Sequence, residues 1–155
     1  MTAQVPETIW IDDESHFLCT EPLEAYRILG GKLPSFDCRA NSAIQRGYLG
    51  TWEIINERLY LTELEALLES GQIVDLGALF PEFATRVFAH WYSGTLRIPQ
   101  GKEIEYIHAG YCSEFERDLL VEVEKGVVQG MSVRHNGEAP EDAPDSYRVL
   151  ASWVR

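Results

Sequence analysis

The sequence predicts an α+β domain that is mainly antiparallel β, a meander sheet or a partly closed barrel with two or three short helices. Two observations carry this expectation. Residues 48–54 alternate with period two, placing Tyr48, Gly50, Trp52 and Ile54 on one side and Leu49, Thr51 and Glu53 on the other, as a half-buried strand does. Residues 95–98, 103–108 and 114–123 then follow as strand-like runs, separated by Pro99-Gln100-Gly101 and by a loop containing Gly110. Closely spaced runs broken by turn residues mark a meander.

Residues 8–18 alternate loosely around an acidic turn at Asp12-Asp13-Glu14, with Ile9 and Ile11 before it and Phe17 after it, and read as an opening hairpin. In Thr20-Glu21-Pro22-Leu23-Glu24-Ala25-Tyr26 the proline suits a first helical turn and the acids favour the positive end of the helix dipole. Gly30-Gly31 supplies the stop, so a short helix is expected near 22–29. Asn56-Glu57-Arg58 reads as a turn from strand 48–54 into Leu59-Tyr60-Leu61. Residues 62–70 lean towards one or two helical turns, because Thr62 and Glu65 match a capping box and Gly71 a stop; extension of the preceding strand is the alternative. Pro81-Glu82 opens a second helical candidate in which Phe83, Val87, Phe88 and Trp91 recur at helical spacing before Ser93-Gly94, with a buried strand as the alternative.

In the run 114–123, Phe115, Leu119, Val121 and Val123 share an apolar face. Glu114, Glu116, Asp118, Glu122 and Glu124 share a face read as solvated. Arg117 falls on the apolar side, where a guanidinium needs a partner or a route to water. Residues 136–146, acidic and proline-bearing, read as a mobile loop, after which residues 147–154 return to strand-like composition and dock back on the domain.

A chain of 155 residues, 45% hydrophobic and with four tryptophans, is expected to bury one core and form a single domain over residues 1–155. Its 25 acidic residues against 13 basic ones give a net charge of -12, and no stretch gathers Lys and Arg into a patch. Direct nucleic-acid binding is therefore not expected, since it needs clustered positive charge. The same field favours a protein partner with a basic surface. The segment Met1-Thr2-Ala3-Gln4-Val5-Pro6-Glu7 lacks the basic and apolar regions of a signal peptide, and no apolar run approaches membrane-spanning length. Cys19, Cys38 and Cys112 are too few for a disulfide framework. A reducing, cytoplasmic setting follows as the expectation.

No convincing catalytic set emerges, and no cofactor is expected. His16, His90, His108 and His135 lie far apart, so spacing supplies no metal-ligand set. His108 follows Ile104 and Tyr106 on one strand face and reads first as a hydrogen-bonded core histidine. Paired with Cys38 or Cys112 it would form a thiol–imidazole couple, the enzyme alternative. Ser93 lacks the glycine two residues earlier that a nucleophile elbow uses. Arg46-Gly47-Tyr48-Leu49-Gly50 has neither the dinucleotide fingerprint nor the phosphate-loop lysine. Aromatic density offers more: Arg46, Tyr48, Trp52, Trp91, Tyr106 and His108 form a candidate ligand-binding set, apolar walls with a few polar tips.

Arg46-Gly47-Tyr48-Leu49-Gly50-Thr51-Trp52-Glu53-Ile54, Leu59-Tyr60-Leu61-Thr62, Leu79-Phe80-Pro81, the run from Val87 through Gly101, and Tyr106-Ile107-His108-Ala109-Gly110-Tyr111 together resemble a widespread family of small bacterial proteins of unassigned activity. The resemblance spans about residues 38–128. It implies a bacterial or phage-related cytoplasmic setting and transfers no catalytic role. The leading expectation is a non-enzymatic binding protein, an acidic inhibitor or immunity-type protein engaging another protein. A small-ligand-binding β-domain with an aromatic pocket is the alternative.

Overall fold

The computed structural model describes residues 4–83, 85–105 and 114–138. Among these residues the chain is mostly β: nine strands join in one mixed, mostly antiparallel sheet with two short helices. Strands β1 (Glu7–Ile11) and β2 (Glu14–Leu18) form the opening hairpin, turned by Asp12 and Asp13 at φ 50° and 64°. Positive φ at both turn residues matches the right-handed twist of a two-residue hairpin. Helix α1 (Pro22–Ile28) starts on its proline, carries Glu24 in its first turn and Arg27 in its last, and buries Pro22 and Leu23.

Strand β3 (Tyr48–Ile55) runs parallel to β1 and antiparallel to β4 (Arg58–Leu67), across a turn at Asn56 and Glu57 that again has positive φ at both residues. Tyr48, Gly50 and Trp52 face inward, as the period-two pattern requires. Strand β4 continues through residues 62–67, where a helical turn was expected. A register shift between Thr51 and Trp52 pairs Thr51 with Glu63 and Trp52 with Leu61, leaving Thr62 as the extra residue. The bulge resets the alternation, so the buried positions become Leu59, Leu61, Leu64 and Ala66. Their 61-to-64 spacing is what resembles a helix.

Strand β5 (Ile73–Asp75) returns along β4 and leads into α2 (Leu76–Leu79), a single turn whose N-cap Asp75 accepts the Ala78 N–H at 3.0 Å. The second helical candidate resolves into a 3₁₀ turn, Pro81–Phe83, and a two-residue strand β6 (Val87–Phe88) on β4. Val87, Ala89 and Trp91 are buried while Arg86 and His90 are exposed, so the inward residues alternate and no helical stripe forms.

Strands β7 (Gly94–Glu105), β8 (Glu114–Glu124) and β9 (Val127–His135) complete the order β2-β1-β3-β4-β9-β8-β7. Pro99-Gln100-Gly101 does not divide β7 into two strands as expected. It makes an irregularity between Gln100 and Glu103, with Gly101 at φ 82°. β7 ends the strand order, and a proline without an N–H is tolerated at such an edge. Among the described residues the sheet is not closed. Just beyond β2, Cys19 N–H donates to Arg97 O at 2.9 Å and Thr20 Oγ1 accepts the Arg97 N–H at 2.9 Å, without a ladder.

The core contains the fully buried Ile9, Leu18, Tyr48, Trp52, Leu59, Leu61, Leu96, Ile98 and Val121. The expectations for residues 106–108, for the acidic stretch beyond Glu138 and for residues 147–154 lie outside the described residues. No helix of the described residues is long and apolar enough to cross a membrane.

Candidate functional site

Four of the six residues marked by the sequence converge; Tyr106 and His108 lie outside the described residues. Trp52 and Trp91 meet edge to face with ring centroids 6.5 Å apart, and the Arg46 guanidinium carbon stands 5.4 Å from the Tyr48 ring centre. Tyr48 and Trp52 are fully buried, and Trp91 is 8% exposed. Their polar tips are occupied internally: Trp52 Nε1 donates to Glu7 Oε1 at 2.7 Å, Tyr48 Oη to Glu24 Oε1 at 3.0 Å, and Trp91 Nε1 to the Pro22 carbonyl at 2.9 Å. The Arg46 side chain, 4% exposed, brings Nε to 3.3 Å from Glu7 Oε2 and 3.7 Å from Glu21 Oε1. The set ties β1 and α1 to β3.

Glu7 is the centre of this cluster, and the sequence reading passed over it. Its side chain is fully buried. Burial pushes its carboxyl up to about 7, against the opposing pull of Arg46 and the Trp52 hydrogen bond and with the aid of Glu21 and Glu24. Burial also raises Glu21, again against Arg46. The glycines of the Arg46–Gly50 stretch serve packing. A Cβ on Gly50 would stand 2.3 Å from Glu7 Oε1, and Gly47, at φ 81°, lies against Phe36 and the Asp37 carbonyl. Glycine is what lets the carboxylate reach the Trp52 indole.

Asp118 corrects the view of the β8 acidic face as wholly solvated. It is fully buried, where Arg97 Nε reaches Oδ1 at 3.1 Å, Arg134 reaches Oδ2 at 2.6 Å and Asn136 Nδ2 reaches Oδ2 at 3.1 Å. Burial disfavours its charge, but the hydrogen bonds from Asn136 and Arg134 and the charge of Arg97 outweigh it and hold the carboxyl below its usual value. Arg117, expected to need a partner on the apolar side, is exposed near the start of β8, the route to water that a guanidinium takes.

Of the thiols, Cys38 is exposed and donates to the Phe36 carbonyl at 3.5 Å. Burial pushes Cys19 up to about 12, far from a reactive thiolate. Cys112 lies outside the described residues. Among the described residues, no three or more His, Cys, Asp or Glu side chains are placed to hold a metal ion.

One open feature of the described residues is a cleft of about 350 Å³ lined by Leu49, Thr62, Glu63, Leu64, Glu65, Asp75, Leu76 and Gly77. The strands build it directly. Leu49 on β3 lies opposite Glu65 on β4, Glu65 lies opposite Asp75 on β5, and Asp75 starts α2. Glu63 and Glu65 project from the same face because they are two apart on one strand. Leu49, opposite Glu65, gives the cleft an apolar wall beside three carboxylates, whereas Leu64 alternates with the glutamates and packs into the core; among the described residues no basic side chain lines the cleft. Such a lining suits a cation on an aliphatic stem. The helical expectation for residues 62–70 hid this cleft, although Glu-x-Glu spacing within a strand contains it.

Comparison with protein-family models, with curated proteins and with solved structures finds no match for the chain.

Proposed function

We propose that this is a non-enzymatic binding protein of the inhibitor or immunity type, one that occupies a basic surface of another protein through the β4–β5 cleft. The observation that carries the reading is the cleft itself: Glu63, Glu65 and Asp75 beside Leu49, on a chain of net charge -12. The apolar wall at Leu49 offers burial to the stem of a Lys or Arg side chain while the carboxylates meet its head, so affinity and orientation come from different atoms. The chain's overall field speeds the encounter with a basic partner, an effect that falls as salt screens it.

The test is titration of the full chain with a short lysine- and leucine-containing peptide, followed by amide chemical shifts at low and moderate salt. The expected result is saturable shifts centred on residues 62–65 and 75–77, lost or weakened roughly tenfold by Glu63→Lys, about 1.4 kcal/mol. Shifts scattered over all acidic surfaces, or binding indifferent to Glu63→Lys, would sink the reading.

A further inference from the structure

Strand β4 presents more than the cleft on its outer side. Leu59, Leu61, Leu64 and Ala66 turn into the core, so Arg58, Tyr60, Glu63 and Glu65 share the opposite face. Near the start of the strand, β6 sets Phe88 opposite Tyr60, with the two ring centres 5.6 Å apart. The Arg86 guanidinium carbon lies over the Tyr60 ring, 4.4 Å from its centre. Arg86 is exposed, as are Arg58 and Glu63. The ion pairs among the described residues engage Arg46, Arg97 and Arg134 but not Arg86, although Glu53 stands opposite Tyr60 on β3. A guanidinium backed by an aromatic ring is already oriented, so it loses less freedom when its planar fork meets a carboxylate.

We propose, resting on the cleft as the seat of a basic side chain, that the same partner segment also places an Asp or Glu carboxylate on Arg86. The outer face of β4 thus reads a pair of opposite charges at a fixed separation. From Tyr60 to the middle of the Glu63–Glu65 pair is four residues of β4, about 13 Å at ~3.3 Å each. An extended partner running along β4 covers the same distance between residues i and i+4, and the even spacing turns both side chains towards the sheet. The occupant is a peptide segment of mixed charge and not a free anion. A net charge of -12 repels a small anion, whereas a basic residue seated in the cleft holds the neighbouring carboxylate at high local concentration.

Two peptides test this on the full chain, identical except that one carries Glu and the other Gln four residues from a single Lys. The expected result is that both shift the amides of residues 62–65, that the Glu peptide alone also shifts residues 86–88, and that it binds about fivefold tighter, the upper end for an exposed ion pair. The chain's net charge opposes that preference, so its appearance reports a local contact. Arg86→Glu, at an exposed position, should reverse the preference, and a third peptide with Lys in place of the Glu should then bind best. Equal affinities of the Glu and Gln peptides for the unaltered chain, with the shifts at 62–65 present, overturn the proposal and leave the cleft reading standing. So does a preference for Glu that survives Arg86→Glu. No shifts at residues 62–65 with either peptide would overturn both.

Discussion

Replacing Glu7 with Gln should remove most of the dependence of stability on pH between about 4.5 and 7. Gln keeps the side-chain length and an oxygen for the Trp52 indole, which Glu7 accepts at 2.7 Å, but it cannot ionise. In the folded protein burial moves the Glu7 carboxyl from 4.5 to about 7. The folded state therefore holds a proton that the unfolded chain has released, and stability falls as pH rises through this window. At 1.36 kcal/mol per pKa unit the rise corresponds to roughly 3 kcal/mol between the two ends. Glu21, raised by burial, acts in the same direction, so a shallow slope should survive in the variant. The level itself is a poor guide, because Gln also breaks the ion pair with Arg46, and loss of a buried partner costs several kcal/mol. Urea unfolding of both proteins at pH 5, 6, 7 and 8 separates slope from level. Unaltered protein as stable at pH 7 as at pH 5, or a Glu7→Gln slope as steep as the parent's, would refute the assignment of a buried, proton-holding Glu7.

Asp118 supplies the opposite signature. Its carboxyl is held below 3.8, so its contribution is present above that value and lost as pH falls through the lower folded pKa; Asp118→Asn should destabilise by about 3 kcal/mol at pH 7 and flatten the acid limb, as read by thermal unfolding from pH 2 to 7. Gly50→Ala drives a methyl to 2.3 Å from Glu7 Oε1, and a loss of roughly 1–3 kcal/mol is expected from overpacking, measured by denaturant midpoint at unchanged slope. In a Cys112→Ala background, a thiol reagent at pH 8 should label one cysteine, Cys38, in the native state and reach Cys19 only on unfolding, since Cys38 is exposed and Cys19 is pushed up to about 12. Equal labelling rates for the two would contradict that placement.

How much of this was legible depends on whether the signal is local. The β3 face, the α1 start and the Asn56-Glu57 turn are set by residues within a few positions of one another, and pattern alone places them. The end of β4 was not legible, because a single bulge residue, Thr62, converts a two-residue alternation into a spacing of three at Leu61 and Leu64. Asp118 sits in an acidic run that looks solvated. What buries it is the register that brings Arg97 and Arg134, 21 and 16 residues away, onto its two oxygens, and composition carries no trace of register.

Glu7 is the instructive case, because half of its evidence was present. Its partners Arg46 and Trp52 lie far along the chain, brought close by the parallel pairing of β1 with β3. Gly50, however, interrupts an otherwise aromatic and β-branched strand face, where a glycine weakens the strand unless something must approach the backbone there. That residue announces an intruder without naming it. The intruder is a carboxyl held in a fully buried position and pushed up to about 7, so the Arg46, Tyr48, Trp52 and Trp91 cluster is organised around an internal titratable group. The cleft at Glu63, Glu65 and Asp75 lies apart from that cluster and is where the proposed binding function is to be tested.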